Sequence, residues 1–293
     1  MKFTLFPGCV SHQSCPELLR STKTVLQAIE LELVETDKFS CCGAGYLSVA
    51  QDDLGIAVNA RNFALAGKEE AAIITPCSTC HATMRKAELA LEDHSLREEV
   101  KQLLKDHELD IDNMSKFYHL VEVLTERKNL AKIANKIIFP LENLLVAPFY
   151  GCHLIRPNHI IGDITGPARM DSLINALGAT LIHCSTRSQC CGFHVQLENE
   201  KGMLMMAAEF LAEARDRDSD LVLTSCPLCQ MVFDMYQYKI RKITGGNLQI
   251  PVLHLAQLVG LALGTGGKAV GLGRNIVSPK RVLSKEIRRG YRP

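Results

Sequence analysis

Short apolar runs and helically spaced apolar positions alternate along this chain in an order that occurs twice. Phe3 to Phe6 is apolar enough for a buried strand and stops at the turn-forming Pro7-Gly8. Leu18, Thr22, Val25, Leu26 and Ile29 follow at helical spacing, and Leu31 to Val34 reads as the next strand. Ile56 to Ala66 is an alanine-rich helix bounded by Gly67, and Ala71 to Thr75 is another strand. The order then returns: Leu144 to Phe149 strand, Met170 to Leu177 helix, Thr180 to His183 strand, Met203 to Ala214 helix, Leu221 to Thr224 strand. Strands alternating with helices predict parallel sheets joined by right-handed crossovers. The expected fold class is therefore α/β, with two tandem, pseudo-symmetric, Rossmann-like parallel-sheet domains.

The cysteines repeat with the elements. They stand at 9, 41, 42, 77 and 80, and again at 152, 190, 191, 226 and 229, with Cys15 and Cys184 left over. Each set reads Cys, a long gap, Cys-Cys-Gly, 33 residues, Cys-x-x-Cys; the long gap is 31 residues in one set and 37 in the other. The likeness extends beyond sulfur, as an internal duplication requires. Phe6-Pro7-Gly8-Cys9 matches Phe149-Tyr150-Gly151-Cys152, Ala72 to Thr75 matches Leu221 to Thr224, and Phe117-Tyr118-His119-Leu120 matches Val252-Leu253-His254-Leu255. The predicted units are 1–145, 146–263 and a C-terminal tail, 264–293.

These positions suit a shared metal centre. Cys77 follows a strand and Cys80 falls in the first turn of the next helix; residues three apart share a helix face, and the free amides and dipole of a helix start favour thiolate. Cys226-Pro227-Leu228-Cys229 repeats this, with proline fit for a first turn. Adjacent cysteines such as Cys41 and Cys42 can face one centre only from a sharply turned backbone, which Gly43 and Gly192 permit. Five thiols exceed the four of a tetrahedral zinc site and of an ordinary cubane cluster. A polynuclear iron–sulfur centre can use the fifth; zinc in one half and merely structural thiols stay open as alternatives.

Composition narrows the setting. A chain of 293 residues, 47 % hydrophobic and 22 % charged, has the make-up of a globular protein. Twelve cysteines would suit a disulfide framework in a secreted chain. The start, Met1-Lys2-Phe3-Thr4-Leu5-Phe6, lacks a signal-peptide apolar region, and the weakly polar stretch from Val252 to Gly264 is too short to span a bilayer. The expectation is a cytoplasmic protein, not integral to a membrane, whose thiols bind metal. A net charge of +1 argues against nucleic acid as partner. It conceals eight basic residues against one acidic between Gly264 and Pro293, a tail suited to an acidic face of a partner protein.

With both halves carrying this motif, the sequence resembles the cysteine-rich CCG-domain family, and within it the B subunit of heterodisulfide reductase and its sulfur-oxidising heterodisulfide reductase-like counterpart. The resemblance covers the chain to about residue 263. It implies two noncubane [4Fe-4S] clusters, one on Cys9, Cys41, Cys42, Cys77 and Cys80, the other on Cys152, Cys190, Cys191, Cys226 and Cys229, with no flavin or nicotinamide on this chain. It implies an oxidoreductase component making or breaking a disulfide or sulfane bond, with disulfide, thiol or lipoate-bound sulfur as substrate. Its partners would be the ferredoxin-like C subunit and the flavoprotein A subunit of such a complex. Cys42-Gly-Ala-Gly-Tyr46 and Pro76-Cys-Ser-Thr-Cys80 depart from the methanogen wording, which favours the sulfur-oxidising branch over coenzyme M–coenzyme B heterodisulfide reduction. An electron relay without catalysis of its own, and a zinc-stabilised adaptor, are the rival classes.

Other residues are secondary. His153 and His194 flank cysteines of the second half where the first has Val10 and Gly45, and His81 follows Cys80; all three are candidates to hydrogen-bond a cluster or bound sulfur. His119 and His254 recur at matching places, which favours a structural role. Cys15 and Cys184 read as unligated. Gly264-Thr-Gly-Gly267 follows a helix and lacks a βαβ unit, so it reads as a flexible hinge into the basic tail and not as a dinucleotide fingerprint.

Overall fold

The structure is a computed structural model and describes residues 2–156, 168–246 and 248–283. Two four-stranded sheets, parallel throughout, carry the chain. The first holds β1 (Lys2–Leu5), β2 (Leu33–Val34), β3 (Ala71–Thr75) and β4 (Phe117–His119) in the order β2-β1-β3-β4. The second holds β5 (Leu145–Phe149), β6 (Thr180–Leu181), β7 (Leu221–Thr224) and β8 (Val252–His254) in the order β6-β5-β7-β8. The α/β class with two similar halves is as the pattern predicted. The central pairings correspond in kind: Thr4 lies beside Ile73 and Ala147 beside Val222.

Two strands had no clear sequence signal. β4 and β8 are three residues each, shorter than the four-residue run that periodicity needs. The edge strands β2 and β6 are two residues, shorter than the expected Leu31 to Val34 and Thr180 to His183, because only Leu33–Val34 and Thr180–Leu181 stand in ladder register with the central strand. The Asp52–Lys68 helix runs through Gly67 instead of stopping at it. A side chain at Gly67 would stand 2.3 Å from the Asn113 carbonyl, so that glycine marks a close chain crossing in the last turn.

Alternation along the strands divides the apolar residues into two layers. Phe6, Ile73, Ala147 and Val222 face one; Phe3, Leu5, Ile74, Val146, Leu221 and Leu223 face the other. Both layers run through both halves, so the two sheets share their cores.

The segment after Gly264 is a correction to the expected hinge. Val270, Leu272 and Leu283 are buried. The Gln257 side chain donates to the Val270 carbonyl, Asn275 donates to the Val252 carbonyl, and the amides of Ile276 and Val277 donate to Asp234. Arg274 pairs with Glu17 of the first half at 3.0 Å. The glycines here make tight turns: Gly264, Gly266 and Gly271 all have positive φ. Four of the eight basic positions, Lys285, Arg288, Arg289 and Arg292, lie outside the described residues. Among the described residues no helix is long and apolar enough to cross a membrane.

Candidate functional site

In each sheet the chain leaves the central strand pair in opposite directions, which opens a crevice beyond the carboxyl ends of β1 and β3, and of β5 and β7. The cysteines are strung around these two crevices. Gly8 and Gly151 begin the turns after β1 and β5, both at φ +70°. A Cβ on Gly8 would stand 3.0 Å from Cys80 Sγ, and one on Gly151 3.3 Å from Cys229 Sγ. These glycines let the turn carrying Cys9 pass against Cys80, and the turn carrying Cys152 pass against Cys229.

The Cys-x-x-Cys segments open helices as the spacing predicted. Cys77 caps the Ser78–Ala90 helix, its sulfur accepting the Cys80 amide at 3.4 Å, and Pro227 begins the Pro227–Met235 helix. Cys42 Sγ lies 3.4 Å from Cys80 Sγ. The adjacent pairs sit on the sharp turns expected of them: Gly43 has φ +78° and Gly192 φ +84°, and their amides point to Cys41 Sγ at 3.5 Å and Cys190 Sγ at 3.3 Å. In the second half all five cysteines line one small cavity with His153 and His194. Cys9 and Cys41 are exposed and line an open groove together with Leu33 to Asp37.

Two residues absent from the sequence-based candidates hold the first site in shape. Asn59 donates to the Cys42 carbonyl at 2.9 Å, and Asn62 exchanges two hydrogen bonds with the backbone of Ser40. Both are fully buried on the Asp52–Lys68 helix. Two asparagines three apart in an otherwise apolar face were the available signal, since buried amides require partners.

Hydrogen bonding among the sulfurs sets their protonation. Bonds from Cys41 and Cys80 draw Cys42 well below an ordinary thiol; bonds to Cys42 and Cys77, and then burial, push Cys80 well above it. Cys152 and Cys191 likewise draw Cys190 down, while Cys191 and Cys226, and then burial, push Cys229 up. Neighbouring buried sulfurs such as Cys42, Cys77 and Cys80, or Cys191, Cys226 and Cys229, can all be thiolates only around added positive charge. All twelve cysteines are free of disulfides. Among the described residues no group of three or more His, Cys, Asp or Glu side chains is set to hold a single metal ion. Soft sulfur donors, glycine turns where a Cβ would meet sulfur, and inward amides fit a larger sulfide-bridged iron centre.

Cys15 and Cys184 belong to neither set. Burial, then Glu17, pushes Cys15 up to about 12, and burial, then Glu213, pushes Cys184 up to about 11, which suits inert thiols. His81 turns its Nε2 toward Glu122 at 3.2 Å. His153 bonds through Nδ1 to Thr79 of the other half at 2.9 Å, and its ring lies edge-on to His194 with centroids 5.5 Å apart. The two crevices meet: Cys77 Sγ is 4.0 Å from Cys226 Sγ, and Ser78 Oγ is 3.2 Å from Ser225 Oγ.

A doubled parallel-sheet fold with cysteines strung around each of two adjoining switch points defines a tandem cysteine-rich domain protein. The model of the cysteine-rich domain (CCG) family matches residues 3–85 and 146–234, and the chain belongs to that family. It is 34% identical over 283 residues, 96% of this chain and 99% of the relative, to the 8-methylmenaquinol:fumarate reductase membrane anchor subunit of Wolinella succinogenes. It is 30% identical over 299 residues, 99% of each chain, to the B subunit of the ferredoxin/F(420)H(2)-dependent CoB-CoM heterodisulfide reductase of Methanosarcina acetivorans. A crystal structure of a hypothetical protein from Helicobacter pylori shares the fold with a TM-score of 0.80 at 19% identity; the match covers 94% of this chain and 52% of that one.

Proposed function

We propose that this chain is an iron–sulfur redox subunit of a heterodisulfide reductase-like complex, and that its two crevices hold a pair of noncubane [4Fe-4S] clusters. Cys9, Cys41, Cys42, Cys77 and Cys80 would hold one; Cys152, Cys190, Cys191, Cys226 and Cys229 the other. The observation that carries this reading is the approach of the two cysteine sets at Cys77 and Cys226, 4.0 Å apart. Bound clusters would supply one-electron chemistry on each side of a shared junction, as making or breaking an S–S bond requires. The chain's part is positional: its thiolates ligate, its glycine turns admit the ligating sulfurs, and Thr79 fixes the His153 ring beside the junction. Electrons would pass through two partner proteins, one ferredoxin-like and one a flavoprotein. The segments around Cys42 and Cys77 favour sulfur-oxidising chemistry over reduction of a methanogen heterodisulfide. A cytoplasmic location goes with this reading.

A second reading rests on the match to a fumarate reductase anchor protein over 99% of its length. In it the same clusters relay electrons between a quinol and a partner, and the chain attaches to a membrane through its surface or its partners. Adding disulfide or thiol substrates to the anaerobically purified chain separates the two. A changed cluster spectrum with small sulfur compounds, and none with a quinol, is expected from the first reading. The reverse supports the relay.

A further inference from the structure

His119 and His254 end β4 and β8, and each also caps the helix that follows, Leu120–Thr125 and Leu255–Ala262. Histidine is not among the preferred caps; serine, threonine, aspartate or asparagine would serve the helix as well or better. Here the Nδ1 of His119 accepts the Val121 amide at 3.1 Å, and the Nδ1 of His254 accepts the Ala256 amide at 3.4 Å. An accepting Nδ1 carries no proton, so the proton of each neutral ring is on Nε2. Burial keeps both rings neutral, holding His119 well below the ordinary imidazole value and His254 down to about 4.

The Nε2 donors point out of their own halves. His119 Nε2 meets the carbonyl of Ser225 at 3.2 Å, and His254 Nε2 meets the carbonyl of Pro76 at 3.1 Å. Ser225 immediately precedes Cys226, and Pro76 immediately precedes Cys77. Each histidine therefore grips the residue that leads into the other half's Cys-x-x-Cys turn, and the exchange is reciprocal. A shorter cap could satisfy the helix but could not also span the junction. Only a ring with an acceptor at one end and a donor at the other does both.

We propose that His119 and His254 are crossed positioning residues, each holding the Cys-x-x-Cys turn of the half to which it does not belong. The first site is thus partly built by the second half, and the second by the first. His119 has extra support from Ser78, whose hydroxyl lies 3.3 Å from its Nε2 and also reaches Ser225. The role of these turns in holding clusters rests on the function proposed above; the crossing itself does not.

The test uses the full chain, purified anaerobically, with His119→Asn and His254→Asn. Asparagine keeps a good helix cap but loses the reach across the junction. Hydrogen exchange read by mass spectrometry is expected to speed about tenfold at residues 226–229 in His119→Asn, with residues 77–80 unchanged, and in the opposite pattern in His254→Asn. The electron paramagnetic signal abolished by Cys191→Ser should shift in His119→Asn, and that abolished by Cys42→Ser should shift in His254→Asn. His119→Ser and His254→Ser repeat the test if an asparagine chain does not fold. Loosening confined to the substituted half, or equal in both, overturns the assignment. A chain that shows crossed exchange but contains no iron would instead overturn the cluster reading and leave the crossing intact.

Discussion

The two cysteine sites share a frame and differ in their surroundings. Both sit at a switch point between central strands, both have a glycine at φ +70° under the first cysteine, and both open a helix with Cys-x-x-Cys. The first leaves Cys9 and Cys41 exposed on an open groove, while the second gathers its five cysteines around one small cavity with His153 and His194. The difference teaches that the duplicated strands and thiols fix where a centre can be held, whereas the unmatched residues fix what can reach it.

The largest effect should come from removing one buried sulfur. Cys42→Ser and Cys191→Ser are each expected to lose about half the iron of the wild-type chain, from one site only, by metal analysis and electron paramagnetic resonance. Loss of both signals from either substitution would mean that the sites are not independent. Asn59→Ala should follow. It strands the carbonyl of Cys42, which Asn59 now satisfies at 2.9 Å, and should cost about 1–3 kcal/mol while disturbing the first site alone. Thermal melting with iron analysis would read both.

The glycines sharpen the comparison further. Alanine at Gly8 or Gly151 must adopt a positive φ, a cost of about 1–2 kcal/mol. Gly8→Ala should be the worse, since its Cβ would come 3.0 Å from sulfur against 3.3 Å at Gly151. Equal melting temperatures would show that the crevices relax alike.

A further effect is in pH. His254 is neutral in the folded chain because burial holds it down to about 4, below the usual 6.5. Its stabilising contribution is whole above about pH 6.5 and drains away as pH falls through about 4, because the unfolded chain takes up the proton first. His254→Asn should flatten that part of the melting profile.

Much of the fold and of both sites was legible in the chain. The strand ends at Thr75 and Thr224 and the turns at Gly43 and Gly192 follow from apolar runs, spacing and glycine placement, all local signals. What escaped was not local. β4 and β8 are too short to show a period, and the work of Asn59 depends on a carbonyl 17 residues away. The stretch from Gly264 reads as a hinge because glycine and basic residues dominate it, yet three buried apolar side chains, Val270, Leu272 and Leu283, anchor it to the core. His119 and His254 carried the signal of a structural role in their repetition, but their reach across the junction is a property of the assembled fold.

Iron and acid-labile sulfide, measured on the chain purified under strict exclusion of oxygen, test the two-cluster reading most directly. Two clusters predict about eight irons and about eight sulfides per chain. A folded, colourless chain holding zinc or no metal would contradict it.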